Sequence, residues 1–163
     1  HKRLYFWAVY SLGYVKRYDG VSEYFPHFDR RHNVNLMSSY SFGKNLDWEV
    51  SVRWNMGSGF PFTQTGGFYE NVQVESVGDD LLGQNGSLGV EYGELNAGRL
   101  PFYHRLDLNV KKTFSFGKNH TLDVAAGVTN VYNRENVFYF DRIKYERVNQ
   151  LPILPSLGLS WNF

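Results

Sequence analysis

The chain of 163 residues has no cysteine, which excludes a disulfide framework and a thiolate metal site. It has no charge excess either: 17 Lys and Arg against 16 Asp and Glu leave a net +1, so nucleic acid is not expected as a partner. It also lacks a long apolar run. The longest, Leu4 to Val15, is too short and too interrupted for a membrane-spanning helix, which needs ~20 residues. A membrane strand needs only about 9–11, and that stretch could supply one. No Ser-His-Asp arrangement, phosphate-binding loop or catalytic carboxylate pair stands out. No catalytic residue and no cofactor are therefore assigned, and the chain is not read as an enzyme. His27, His32 and His104 have no second ligand at useful spacing, so no metal site is expected.

Aromatic residues are abundant: 13 Phe, 12 Tyr and 4 Trp, or 18 % of the chain. That is a heavy load for a small soluble domain, and aromatic girdles at two membrane interfaces would use it. Their placement has period two. At the C-terminus Leu157, Leu159, Trp161 and Phe163 alternate with Ser156, Gly158, Ser160 and Asn162. Leu46 to Met56 is the cleanest element: Leu46, Trp48, Val50, Val52, Trp54 and Met56 face one way, and Asp47, Glu49, Ser51, Arg53 and Asn55 the other. A mean hydropathy of −0.43 is compatible with a membrane barrel, because only every second strand residue faces lipid.

The same alternation predicts six strands: His1 to Arg17, His32 to Phe42, Leu46 to Met56, Tyr103 to Phe116, His120 to Val131, and the final stretch. The fifth is expected to continue, after a kink near Asn133, into Asn136 to Asp141. In the first, Phe6, Ala8, Tyr10, Leu12 and Tyr14 are assigned to the apolar side; in the fourth, Lys112 interrupts that side near its end, where a snorkelling lysine is tolerated. The pentapeptide Ser41-Phe42-Gly43-Lys44-Asn45 recurs as Ser115-Phe116-Gly117-Lys118-Asn119. Both copies predict three-residue turns, at 43–45 and 117–119. The first would place Tyr40 beside Trp48, Leu36 beside Val52 and Asn35 beside Arg53. The connections 18–31, 57–102 and 143–149 are long or irregular, though 57–102 could hold short strands at Asn71 to Val77 or Ser87 to Tyr92. Short turns at one end and long loops at the other is the asymmetry of outer-membrane barrels. The fold class expected is all-β, an antiparallel transmembrane barrel segment. Turns 43–45 and 117–119 and the C-terminus would be periplasmic, and the three long loops extracellular.

Five blocks carry a family resemblance. They are Asp29-Arg30-Arg31-His32 with Asn35-Leu36 and Ser39-Tyr40; Ser58-Gly59-Phe60-Pro61-Phe62-Thr63; Arg99-Leu100-Pro101-Phe102-Tyr103-His104-Arg105-Leu106-Asp107-Leu108; Thr129-Asn130-Val131-Tyr132-Asn133-Arg134-Glu135-Asn136-Val137; and Leu151-Pro152-Ile153-Leu154-Pro155-Ser156-Leu157-Gly158. In this order, ending on Phe163, they resemble the C-terminal barrel of TonB-dependent outer-membrane receptors, in particular the Bacteroidetes type with a carboxypeptidase-regulatory-like N-terminal domain. The resemblance implies a 22-stranded plugged barrel in the bacterial outer membrane. It would import a scarce ligand such as a siderophore, metal chelate, oligosaccharide or peptide. Its partners would be the lipid bilayer, the remaining strands and plug, TonB through an N-terminal part, and the barrel-assembly machinery. The chain begins at His1 without a signal peptide, so on this reading it is expected to be a fragment, a nicked chain or a partly resolved receptor.

Three sets of residues are candidates for a role. Gly158, Leu159, Trp161 and Phe163 resemble the C-terminal signal of barrel assembly; the alternative is a half-buried edge strand that ends the chain. Asp47, Glu49, Arg53, Arg105, Asp107 and Lys111 alternate in sign on one face and are expected to line the lumen. Phe60, Phe62, Phe68 and Tyr69 could cap a ligand cavity or pack within their own loop. Two other classes compete with transport: a receptor-like barrel that anchors a surface partner, and a soluble secreted β-sandwich with a binding function.

Overall fold

The computed structural model describes residues 3–71, 87–117 and 120–163. Six strands form one antiparallel sheet: β1 (Leu4–Leu12), β2 (His32–Phe42), β3 (Trp48–Gly57), β4 (Tyr103–Phe116), β5 (His120–Thr129) and β6 (Leu154–Asn162). Each strand pairs with its neighbour in sequence, so the order in space is the order in the chain. The fold is all-β and antiparallel. Among the described residues β1 and β6 are each paired on one side only, and the sheet is open rather than closed into a barrel.

Directly paired residues share a face. The registers Ala8↔Leu36, Leu36↔Trp54, Trp54↔Leu106, Leu108↔Val128 and Val124↔Leu159 therefore carry one apolar face across all six strands. The opposite face is polar from β2 onward, with Asn35, Asn55 and Arg105 in one row and Ser39, Ser51 and Asn109 in another. Among the described residues the buried side chains are the polar Asp29, Ser58, Asn130 and Asn136 and two prolines, Pro26 and Pro61; no other hydrophobic side chain is buried. Every residue of β1 and of β6 is exposed. The sheet thus has the two-faced pattern of a protein wall without the apolar core that a water-soluble sandwich builds between two such sheets.

Several boundaries depart from the sequence reading. The expected first strand, His1 to Arg17, is shorter: His1 and Lys2 lie outside the described residues, and the chain leaves the sheet at Gly13, whose amide bonds Arg31 O at 2.9 Å. Arg17–Tyr18 instead pairs with Glu23–Tyr24 in a small ribbon. Strand β3 starts at Trp48 rather than Leu46, because Leu46 takes a left-handed φ of 56° that no strand residue can hold. The β2–β3 register is shifted by two from expectation: Tyr40 faces Val50, Leu36 faces Trp54 and Asn35 faces Asn55. The cause is the turn, which runs from Gly43 to Asp47 between the closing pair Phe42↔Trp48. A shift of two keeps every side chain on its face, so facial pattern could not detect it.

The extension of β5 is also corrected. The strand ends at Thr129; Val137–Asp141 pairs with Glu146–Asn149 as a separate hairpin, outside the main sheet. Left-handed φ values at Asn130 (56°) and Asn133 (49°) turn the chain there. Of the turn expected at 117–119, Lys118 and Asn119 lie outside the described residues; its flanking pair is Phe116↔His120.

By contacts the chain divides into two units. The first holds the sheet, with 1–14, 30–59 and 100–163; the second holds 15–29 and 60–99. In the second, Pro61–Phe62 pairs with Gly98–Arg99, and Thr65–Asn71 pairs with Ser87–Tyr92. Ser87–Tyr92 is thus a strand, as expected, whereas most of the expected Asn71 to Val77 strand lies outside the described residues and Asn71 ends a strand that begins at Thr65.

Candidate functional site

The polar face holds most of the expected charged wall, and the registers Lys111↔Glu49 and Asp107↔Arg53 put those residues in common rows. Lys111 Nζ lies 3.1 Å from Glu49 Oε2, and Ser39 donates to Glu49 Oε1 at 3.0 Å. Arg105 is bound to Asp107 on its own strand at 2.9 Å. Arg53 makes no such ion pair among those the structure describes, although Asp107 is its register partner. Asp123, which alternation with Leu122 and Val124 puts on this face but which was not among the expected wall residues, accepts from Thr113 Oγ1 at 2.5 Å.

Asp47 is the exception within the set. It sits in the turn before β3, and its carboxylate pairs with Lys112, a residue of the apolar face. The Lys112 ammonium also lies 4.7 Å from the centre of the Trp48 ring and 5.5 Å from that of Phe114. The lysine that interrupts the apolar face is therefore neutralised by a turn carboxylate and solvated by two rings. The Lys112 hydrogen bond, ahead of all other causes, holds the Asp47 carboxyl below its ordinary value of 3.8.

Around Lys112 runs a band of aromatic rings at the short-turn end of the sheet. Phe42 stacks on Trp48 at 6.0 Å and on Tyr40 at 6.0 Å; Phe116 and His120 stack on Trp161 at 5.6 and 6.3 Å. A second row stands at the other end: Tyr10 with His32 (6.2 Å), and His104 with Trp54 (6.4 Å) and Tyr132 (5.5 Å). Each histidine there meets a tyrosine hydroxyl through Nδ1, Tyr10 at 2.9 Å and Tyr132 at 2.7 Å. On β2 the rows are separated by the stretch His32–Phe42. At about 3.3 Å per residue this stretch is roughly 33 Å long.

The residues expected to form the assembly signal lie on or just beyond β6. Gly158 faces Ala125, Leu159 faces Val124, and Trp161 faces Leu122. Leu159, Trp161 and Phe163 are all exposed, Phe163 by 92 %. Of the loop aromatics, Phe62 and Tyr69 are used inside their own unit. The Phe62 ring stands 3.0 Å from where a Cβ on Gly98 would be, and the Tyr69 ring 2.5 Å from the corresponding point on Gly89, its strand partner. Phe68 pairs with Val90, and Phe60 immediately precedes Pro61–Phe62, which pairs with Gly98–Arg99. The consecutive Phe68 and Tyr69 stand on opposite sides of their hairpin.

What the sequence reading missed is the job of the five motif blocks. All four buried polar residues lie in them. The His32 amide donates to Ser58 Oγ (3.1 Å), the Ser58 amide to His32 O (2.9 Å), and Arg30 Nε to Ser58 O (3.2 Å). A Cβ on Gly59 would overlap the Leu100 carbonyl, so only glycine fits there. The Asn130 backbone amide donates to Asp107 Oδ1 at 3.0 Å, while its side chain donates to Arg134 O (3.0 Å) and Leu151 O (3.2 Å) and accepts from Arg134 N (3.0 Å). Asn136 grips the His104 backbone from both sides, accepting at 3.1 Å and donating at 2.9 Å. Asn133 accepts from Ile153 N at 2.9 Å. These side chains tie the ends of β2 to β3 and of β4 to β5 and β6, where the chain turns and the ladder can no longer satisfy the backbone. Asn and Asp clustered at the predicted end of a strand were the available signal.

Among the described residues no three His, Asp or Glu side chains gather as a metal site. No protein-family model, curated protein or solved structure matches this chain.

Proposed function

We propose that the chain is the C-terminal six-stranded part of a TonB-dependent outer-membrane receptor, one section of a larger plugged barrel. The observation that carries the reading is the inverted distribution of polarity: one continuous apolar face, exposed on β1 and β6 and only half-buried between them, one polar face, and no buried hydrophobic side chain among the described residues apart from Pro26 and Pro61. Each fully exposed Leu, Val or Phe forgoes about 1.5–3 kcal/mol of burial in water. A bilayer supplies what that face lacks. At the roughly 40° tilt of barrel strands the aromatic rows would stand about 25 Å apart, the height of a barrel's apolar band, which supports the same assignment.

In this reading the short turns and Phe163 are periplasmic, the long connections are extracellular, and the open edges of β1 and β6 join further strands. Closure is required, because unpaired backbone groups in hydrocarbon cost several kcal/mol each. The charged wall faces the plug, and TonB acts through the plug's N-terminal side. The cargo belongs to the scarce ligands such receptors import: a siderophore, metal chelate, oligosaccharide or peptide.

The test is the fractionation and intact mass of the protein that carries these residues. A single chain several times heavier than 19.0 kDa, recovered from outer membranes in detergent, supports the proposal. A 19.0 kDa protein that stays in solution without detergent overturns it.

A further inference from the structure

The unit formed by 15–29 and 60–99 joins two segments that are far apart in the chain, and it does so through a buried charge. Asp29 is 1 % exposed. Its carboxylate accepts from Val15 N at 3.1 Å and pairs with the Arg99 guanidinium, which also donates to Asp29 O at 3.1 Å. The same guanidinium lies 5.0 Å from the centre of the Phe25 ring. A second link runs beside it: Asn96, held at a left-handed φ of 56°, donates from its side chain to Phe25 O at 2.7 Å and from its backbone amide to Thr63 Oγ1 at 3.0 Å. Phe25 is thus gripped from 60–99 at both its ring and its carbonyl. Separating the two segments breaks the Asp29–Arg99 ion pair and both grips on Phe25 at once, and removing one partner of a buried pair is strongly destabilising.

We propose that the Asp29–Arg99 pair is a latch that holds 15–29 to 60–71 and 87–99, so that these stretches come apart only together. It goes beyond the receptor assignment and stands on the unit's own geometry, so it can fail while that assignment holds. The direct test is limited chymotrypsin digestion of the full-length protein, with cleavage sites assigned by mass. Arg99→Gln is expected to raise cleavage at Tyr18 and Tyr24, in the other segment, at least tenfold. Asp29→Asn should do the same at Tyr69 and Tyr92. Increases confined to the segment that carries the substitution would overturn the latch.

Hydrogen exchange of the wild-type protein removes any dependence on how the variants fold. Under conditions where opening is slower than exchange, amides of 15–29, 60–71 and 87–99 should exchange in one correlated step at one rate. Two separate rates would overturn the proposal even if both variants unfold.

Discussion

The two ends of the sheet are built by opposite means. At the long-connection end the sheet unit buries two amides and a hydroxyl, Asn130, Asn136 and Ser58. At the short-turn end no described residue is buried and rings are displayed instead, from Tyr40 and Phe42 through Trp48 to Phe116 and Trp161. The difference teaches where each kind of force can act. Long connections leave many backbone groups without ladder partners, and side-chain amides satisfy them. Tight turns leave few, so that end is free to carry residues chosen for the solvent around it. Rings at a water–lipid boundary are one such choice.

The first way to break the comparison is to remove a buried amide. Asn130→Leu keeps the size but deletes three side-chain hydrogen bonds, leaves Arg134 and Leu151 groups without their partner, and forces a branched residue into a left-handed φ. The expected loss is about 3–5 kcal/mol. It should appear as a lower denaturant midpoint of the full-length protein in detergent. A loss below about 1 kcal/mol would mean the joint is ornamental and the contrast between the ends is misdrawn.

A second substitution pair sharpens the proposed role of the two faces. Val52 and Ser51 are neighbours near the middle of β3 and point to opposite sides. Val52→Arg should cost about 2–4 kcal/mol in a bilayer, the penalty for a cation on the lipid face near mid-depth. Ser51→Arg, on the polar face, should cost less than about 1 kcal/mol. The measurement is reversible unfolding in lipid vesicles. Equal costs at the two positions would remove the basis for placing lipid on the apolar face.

How much of this was readable from the residues depends on which physics each feature uses. Facial alternation is written in every residue, so the order and polarity of the six sheet strands were legible. Register was not: Gly43-Lys44-Asn45 looks the same as Gly117-Lys118-Asn119, yet the first copy closes at Phe42↔Trp48, two residues further on than its twin at Phe116↔His120. The residues just after the two copies differ, Leu46-Asp47 in the first and His120-Thr121 in the second. Leu46 adopts a left-handed conformation and the Asp47 carbonyl accepts from Thr113 N of β4 at 2.8 Å, so the neighbouring strand captures a residue that the hairpin alone would have paired otherwise. A contact so distant along the chain is not visible in local pattern. Asp47 was misplaced for the same reason: alternation assigned it to the charged wall, while Lys112 draws it to the other face. The joint residues were quoted as motif letters, but their partners lie in other blocks, and only the folded chain brings Asn130 to Leu151.

The smallest expected effect concerns that same Asp47, where the short-turn end departs from its own rule by holding an ion pair. Its carboxyl titrates below the ordinary 3.8, chiefly because Lys112 donates to it. A carboxylate with a depressed folded value contributes stability above its unfolded value and loses it as pH falls through the folded one. The contribution of the Asp47–Lys112 pair should therefore be complete at neutral pH and disappear on acidification below about 4, the ordinary carboxylate range. Asp47→Asn removes it at every pH. Unfolding midpoints of wild type and variant should differ modestly at pH 7 and converge at about pH 2–3, because exposed pairs are screened and weak. Lys112→Met tests whether the carboxylate needs its cation: with the ammonium gone, Asp47→Asn should no longer change the acid limb. If the pH dependence of Asp47→Asn survives in the Lys112→Met background, another group holds the carboxylate. The aromatic end would then keep its lysine through the Trp48 and Phe114 rings alone.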